Sequence, residues 1–421
     1  MLMKRVCVLG LGYIGLPTAS VLAANGFEVL GVDVSEHVVN TVNEGNIHIE
    51  EPGLHTLVQA ATGSGRLRAT LDPEPCDVFI IAVPTPLTKD KRADMSFVTR
   101  AAESIVHCLR KGSLVILEST SPPGTCVELL KPILERSGLK VGPDIHLAHC
   151  PERVLPGRIL KELIDNDRVI GGYDSESAER AKEIYEAFVE GKIFLTNATT
   201  AEMVKILENT YRDVNIALAN EAALICERLG IDFWEAARFA NRHPRVNVHS
   251  AGPGVGGHCI SVDPWFLVEK QPEEARMIRL ARERNDGMPA HVVQVVKGLL
   301  TNVETPKIAV LGMAYKGNVD DLRESPALNV IKLLIAEGFT VSVNDPHVRH
   351  APFLSEPIES CLANADCLLL LTDHDEYKDL EPAFAAARMR LPILFDTRNQ
   401  LDHAAWQAAG FRVKLLGCGS A

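Results

Sequence analysis

The sequence predicts an α/β chain in three parts, two doubly wound parallel-sheet units with a helical stretch between them. Three observations carry that expectation. Short, mostly apolar runs bounded by Gly, Pro or polar residues recur in the first 150 residues and again after residue 306, as expected of parallel strands buried on both faces. Residues 200–229 hold neither Pro nor Gly, which reads as one long helix stopped by Gly230. The first apolar run enters Gly10-Leu11-Gly12-Tyr13-Ile14-Gly15 directly. At ~100–200 residues per domain, 421 residues fit three domains, with boundaries expected at 1–198, 199–304 and 305–421.

The elements follow in order. Val6–Leu9 reads as a strand, Leu16–Asn25 as a helix, and Glu28–Val32 as a second strand ended by Asp33. A strand, a Gly-rich turn, a helix and a strand ending in an acid, within about 30 residues, form the dinucleotide-binding fingerprint of a Rossmann-like unit. Gly10 permits the tight turn, Gly12 lets backbone approach a pyrophosphate, and Gly15 allows close helix–strand packing. The helix N-terminus, at Tyr13 and Ile14, then offers its N–H groups to phosphate. Asp33 is placed to accept from a ribose, which favours NAD over NADP. Val78–Val83, Leu114–Leu117 and His146–His149 continue the sheet. Ligands gather at the carboxyl ends of such strands, so the rim is expected at Pro84-Thr85-Pro86, Ser119-Thr120-Ser121-Pro122 and Cys150-Pro151-Glu152-Arg153. Beyond the long helix, a second helical stretch begins near Phe233. Lys307–Gly312, Thr340–Val343, Cys367–Leu371 and Ile393–Phe395 then read as strands, with a helix over Leu328–Glu337, giving a smaller second α/β unit.

Composition narrows the function. Apolar residues make up 46% and charged residues 23%, which excludes collagen-like, disordered and disulfide-stapled classes. Forty-three Lys and Arg against 55 Asp and Glu leave −12, the wrong sign for a nucleic-acid partner. The ten cysteines form no CxxC pair and no zinc spacing, so reduced thiols and no metal are expected. The apolar runs fall short of the ~18 residues of a membrane span. Lys4-Arg5 followed by Val6–Leu16 and Ala19–Ala24 imitates a secretion signal. The glycines interrupting it suit a phosphate-binding turn better, and a cytoplasmic chain is expected.

The chemistry centres on Pro253-Gly254-Val255-Gly256-Gly257-His258-Cys259-Ile260-Ser261-Val262-Asp263. A free cysteine is ordinarily an inert core residue, and this one could be an incidental thiol on a glycine hinge. Four glycines within the eight positions before it favour an exposed, activated sulfur instead. A thiol beside NAD suggests oxidation of an alcohol in two steps. The aldehyde adds the thiol as a thiohemiacetal, a second hydride loss gives a thioester, and water releases a carboxylate. A cation must steady the oxyanion on the way. Lys205 and Asn209, one helical turn apart, share a face; without Cys259 they would read as solvated helix positions.

Gly10–Gly15, Pro84-Thr85-Pro86, Ser119-Thr120, Pro151-Glu152, Lys205…Asn209, Gly256-Gly257-His258-Cys259…Asp263, Lys316…Arg323-Glu324-Ser325 and Asp396-Thr397-Arg398-Asn399 occur in this order. In this the whole chain resembles the UDP-glucose/UDP-N-acetylhexosamine 6-dehydrogenases. Cys150–Gly157, Asn241–Asn247 and Gly252–Cys259 look like the N-acetylhexosamine branch. Val262-Asp263-Pro264-Trp265-Phe266 looks most like members acting on UDP-N-acetyl-D-mannosamine, with the gluco epimer as the alternative substrate.

The resemblance implies roles. Cys259 is the nucleophile, Lys205 steadies the oxyanion, and Asn209 and Asp263 orient it and the attacking water. Glu152 takes part in acid/base steps and Thr120 helps place it. The base for the first proton stays open between Glu152 and a water held by Lys205 and Asp263. Pro84, Thr85, Thr120 and Arg323 match cofactor contacts. Glu152, Arg153, Val154, Lys205, Asn209, Arg212, His243, Gly256, Lys316 and Arg398 match substrate contacts. Arg245 matches an arginine that reaches the neighbouring subunit's substrate, which implies a homodimer. Relatives on the glucose branch carry an aromatic where Arg153 stands and a second Glu where Pro156 stands. Two rivals remain: a non-catalytic NAD and nucleotide-sugar binder, and a two-electron hydroxyacid dehydrogenase. Neither explains Cys259.

Overall fold

The structure, a computed structural model, describes residues 4–155, 157–349 and 351–419; Pro156 lies outside the described residues. The chain forms two compact units. One runs through Glu208 and includes Trp265–Pro272; the other comprises Asn209–Pro264 and the chain from Glu273 onward.

The first unit is built on β1 (Arg5–Leu9), β2 (Glu28–Val32), β3 (Leu67–Thr70), β4 (Val78–Ile81), β5 (Leu114–Leu117), β6 (His146–His149), β7 (Arg168–Gly172) and β8 (Ile193–Asn197). Their order is β3-β2-β1-β4-β5-β6-β7-β8. Every pairing is parallel except β6 with β7. The apolar runs behave as a doubly covered sheet demands. Val6, Val8, Val78, Ile80, Leu114 and Ile116 enter one core. The alternate residues Cys7, Leu9, Phe79, Ile81, Val115 and Leu117 enter the core on the opposite face. The strand order reverses between β1 and β4, where such a sheet opens a crevice for its ligand.

The second unit repeats the plan on a smaller scale. β9 (Lys307–Leu311), β10 (Thr340–Asn344), β11 (Cys367–Leu370), β12 (Ile393–Asp396) and β13 (Arg412–Leu415) lie in the order β10-β9-β11-β12-β13, all parallel. Its switch point falls between β9 and β11. Each sheet uses the same turn there. Gly10 and Gly312 sit at φ +90° and +91°, and each donates its N–H at 2.8 Å to the last residue of the neighbouring strand, Val32 or Asn344.

The long helix spans Ala198–Leu229, two residues earlier than predicted because the Asn197 side chain accepts the Thr200 N–H at 2.9 Å and so starts it. Gly230, at φ +71°, ends it as expected. The boundary between units falls inside this helix, after Glu208. The helix Arg276–Leu299 carries Pro289 in its interior. The sequence reading named no strand at β3, β7, β8 or β13 and no helix here; β8 opens on only three apolar residues, Ile193-Phe194-Leu195, and is largely exposed.

Candidate active site

At the crevice of the first unit the glycines are fixed by space. A Cβ on Gly10 would stand 2.7 Å from the Ala82 carbonyl oxygen and one on Gly15 1.7 Å from the Gly10 oxygen, while Gly12 faces open space. The helix Gly15–Ala24 has no side-chain cap and no acid in its first turn, which leaves its positive end to an anion. Asp33 accepts the N–H of Leu11 on one oxygen and that of Ser35 on the other, each at 3.0 Å. It stays half-buried, with room to accept ribose hydroxyls. Tyr13 and Pro84 are exposed and Thr85 and Thr120 half-buried on the same unit. Ser119 Oγ donates to the Val83 carbonyl at 2.7 Å and ties the β4 and β5 ends together. These residues fit a nicotinamide dinucleotide with an unphosphorylated ribose.

Beyond β6, Glu152 is buried against Arg168 on β7, with Nη2 to Oε2 at 2.8 Å. Its other oxygen accepts the Arg153 N–H at 2.7 Å. Arg153 pairs with Glu208 at 2.7 Å, and Val154 packs against the adjoining core. Lys205 is half-buried in this unit. The sequence reading missed Arg168, which holds Glu152 from a strand sixteen residues away. It also missed Glu118, wholly buried where β5 ends, whose pKa is pushed up to about 7, first by burial and next by the Glu152 charge.

In the second unit the structure brings Cys259, Asp263 and Asn209 together. The Cys259 carbonyl accepts the Val262 and Asp263 N–H groups at 3.0 and 2.8 Å, starting the helix Asp263–Lys270. The Asp263 carboxylate accepts Asn209 Nδ2 at 2.6 Å, with both residues buried. Among the ten cysteines, seven are buried and Cys226, Cys259 and Cys418 are half-buried. Burial pushes the Cys418 thiol up to about 12, and its donation to Asp232 adds to that, so it is a poor nucleophile. Burial raises Cys226 as well.

The glycine-rich loop is threaded through narrow gaps. A Cβ on Gly256 would stand 2.6 Å from Tyr315 Cβ and 2.8 Å from the Glu324 oxygen. The Gly257 N–H donates to the Arg323 carbonyl at 2.9 Å. A buried chain of bonds holds the loop's start. Arg282 pairs with Asp213 at 2.5 Å, Asn285 donates to Asp213 at 2.8 Å and Asn220 to Asn285 at 2.9 Å. The Asn220 oxygen takes the Gly252 N–H at 2.9 Å. Arg212, His243 and Arg245 are exposed, and Arg323 forks onto both oxygens of Asp321.

Lys316 and Arg398 line a cavity of about 470 Å³ at the carboxyl ends of β9, β11 and β12, together with Asn318, Asp373, Lys378 and Gln400. Asp396 shapes the turn by accepting the N–H groups of Arg398, Gln400 and Leu401. Asp373 holds Arg398 at 2.7 Å. A Cβ on Gly252 would stand 2.8 Å from Arg398 Nη1, so this cation lies against the loop that leads to Cys259. The sequence reading gave no role to Asp373, which no local pattern marks.

A dinucleotide crevice, a half-buried cysteine one helical turn before a carboxylate–amide pair, and a cation-lined cavity on a second nucleotide-type sheet define an NAD-dependent oxidoreductase. The chain belongs to the UDP-glucose/GDP-mannose dehydrogenase family. Its NAD binding domain matches residues 4–189, its central domain 199–287 and its UDP binding domain 309–403. The chain is 51% identical to the UDP-N-acetyl-D-mannosamine dehydrogenase of Methanococcus maripaludis strain C7, over 99% of this chain and 98% of the relative. It is 47% identical to the NDP-N-acetyl-D-galactosaminuronic acid dehydrogenase of Ralstonia solanacearum, over 94% and 96%. The solved UDP-D-ManNAc dehydrogenase of Pyrococcus horikoshii superposes with a TM-score of 0.92 at 42% identity, covering 99% of this chain and 100% of that one.

Proposed function

We propose that this protein oxidises the primary alcohol of UDP-N-acetyl-D-mannosamine to the uronate, using two NAD in turn. The observation that carries the reading is the linked set Cys259, Asp263 and Asn209, in a chain alike over its length to the mannosamine enzymes. The site has its own thiol nucleophile, which a two-electron hydroxyacid dehydrogenase does not need. When bound, NAD accepts a hydride from C6 in each oxidation. The Cys259 thiolate adds to the aldehyde carbon, and the carbonyl pair becomes an oxyanion that takes a proton as the thiohemiacetal forms. Lys205 steadies that oxyanion. After the second oxidation, water attacks the thioester, the C–S bond breaks, and the thiolate leaves as the carboxylate forms. Asn209 and Asp263 orient that water, Glu152 serves the proton transfers, and Thr120 helps place Glu152.

The same reading assigns 1–198 to NAD, 199–304 to the thiol and to dimerisation, and 305–421 to the nucleotide sugar. Lys316 and Arg398 hold the substrate, with Arg153, Val154, Arg212, His243 and Gly256, and Arg323 contacts the cofactor pyrophosphate. A second copy of the chain is its partner. Tyr211, Leu218, Ile225 and Leu229 are each more than half exposed along one stripe of the long helix, and the exposed Arg245 reaches the neighbouring site. No helix among the described residues is long and apolar enough to cross a membrane, and the ten free cysteines suit the cytoplasm.

The test is Cys259→Ala, assayed for uronate from UDP-N-acetyl-D-mannosamine and from its gluco and galacto counterparts. The variant is expected to bind NAD normally and to release no acid. Acid released at the parent rate would refute the thioester route.

A further inference from the structure

The two sheets place the same acid at the end of their second strand, and use it differently. Asp33 in the first unit is half-buried and accepts one backbone N–H on each oxygen. Asp345 in the second is 3% exposed. One of its oxygens accepts Met313 N, Ala314 N and His374 Nε2 at 2.6, 3.1 and 3.1 Å, and the other accepts His347 N and Val348 N at 3.0 and 3.1 Å. This carboxylate is saturated and has no capacity left for a ribose.

His374, wholly buried, connects that acid to the cavity. Its Nδ1 accepts the Asn318 N–H at 2.9 Å, so the ring proton sits on Nε2 and is donated to Asp345. Its carbonyl accepts Gln400 Nε2 at 2.7 Å. His347 stacks on the ring at 4.7 Å between centroids, and Tyr377 meets it edge-on at 5.6 Å. Its chain neighbours Asp373 and Asp375 both line the cavity. Asp373 holds Arg398, while Asp375 exchanges hydrogen bonds with the Asn318 side chain at 2.6 and 2.9 Å. The Lys316-Gly317-Asn318 wall is thus hung from the β11 end by two exposed bonds and by the part-buried one to His374. Asn318 sits at φ +61°, a strained conformation that needs such anchoring.

We propose that His374 is a positioning residue for the nucleotide sugar: by joining Asp345 to the Asn318 N–H it sets Lys316 against Arg398 across the cavity. The proposal rests on reading that cavity as the UDP-sugar site.

Two substitutions separate its bonds. His374→Asn places an oxygen where Nδ1 stood and keeps the acceptor for Asn318. His374→Gln places an amide nitrogen near Nε2, keeps the donor to Asp345 and loses that acceptor. UDP binding is measured by calorimetry, with NAD binding as control and hydrogen exchange of the Asn318 amide alongside. His374→Gln should weaken UDP roughly tenfold, His374→Asn less than about twofold, and neither should change NAD binding. The Asn318 amide should be protected in the parent and in His374→Asn, and unprotected in His374→Gln. Equal losses in the two variants, or the reverse order, would assign His374 only to burying Asp345 and overturn the proposal. An unprotected Asn318 amide in the parent would overturn it even if neither variant folds. A parent protein that fails to bind UDP would refute the reading of the cavity, and the proposal with it.

Discussion

Glu118 makes the first unit's stability fall as pH rises. Tyr185 Oη donates to one of its oxygens at 2.7 Å and Thr18 Oγ1 approaches the other at 3.5 Å. Burial, then the Glu152 charge, push its pKa from 4.5 up to about 7 against the pull of Arg168 and these two donors. The folded chain therefore holds a proton between those values that the unfolded chain has released. A group raised in this way contributes stability that is complete below the unfolded pKa and lost as pH climbs through the folded one. Integrated between pH 5 and 8, the loss is about 2–3 kcal/mol. Glu118→Gln removes the titration while leaving an oxygen for Tyr185. Urea unfolding of both proteins at the two pH values reads the effect. The parent should lose about 2–3 kcal/mol more than the variant on going from pH 5 to 8. Equal losses would show that Glu118 keeps its charge when folded, and would refute the burial argument.

Two further outcomes are expected. Asp33→Asn should weaken NAD by about 1–2 kcal/mol, the scale of a charge-assisted hydrogen bond, and narrow the preference over NADP; unchanged affinity for both by calorimetry would remove Asp33 from the cofactor site. Leu218→Glu, at the centre of the exposed stripe, should convert dimer to monomer in light scattering, and a dimer of unchanged strength would place the interface elsewhere.

Much of this was legible in the sequence wherever the signal was local. The first strand, turn, helix and strand lie within a few residues of their expected positions, because both sheet faces are covered and the apolar runs must be continuous. Cys259 stood out because four glycines crowd the eight positions before it, and Asp263 follows four residues later. Contacts across the chain left no trace. Asn209 meets Asp263 at a separation of 54 residues, and Arg168 reaches Glu152 through the antiparallel pairing of β6 with β7. The helix Arg276–Leu299 contradicts its own sequence, since Gly287 and Pro289 ordinarily end a helix. Pro289 and its neighbour Met288 are buried, and packing outweighs local preference. The glycines before Cys259 pointed to an exposed thiol; the structure adds that Gly256 is also required by the approach of Tyr315 and Glu324.

The central claim is a double oxidation through Cys259. The most direct test is the amount of NADH formed from a limiting quantity of UDP-N-acetyl-D-mannosamine at neutral to mildly alkaline pH. The account predicts about two NADH for each sugar nucleotide, with the uronate as product. One NADH with an accumulating aldehyde, or none at all, would contradict it.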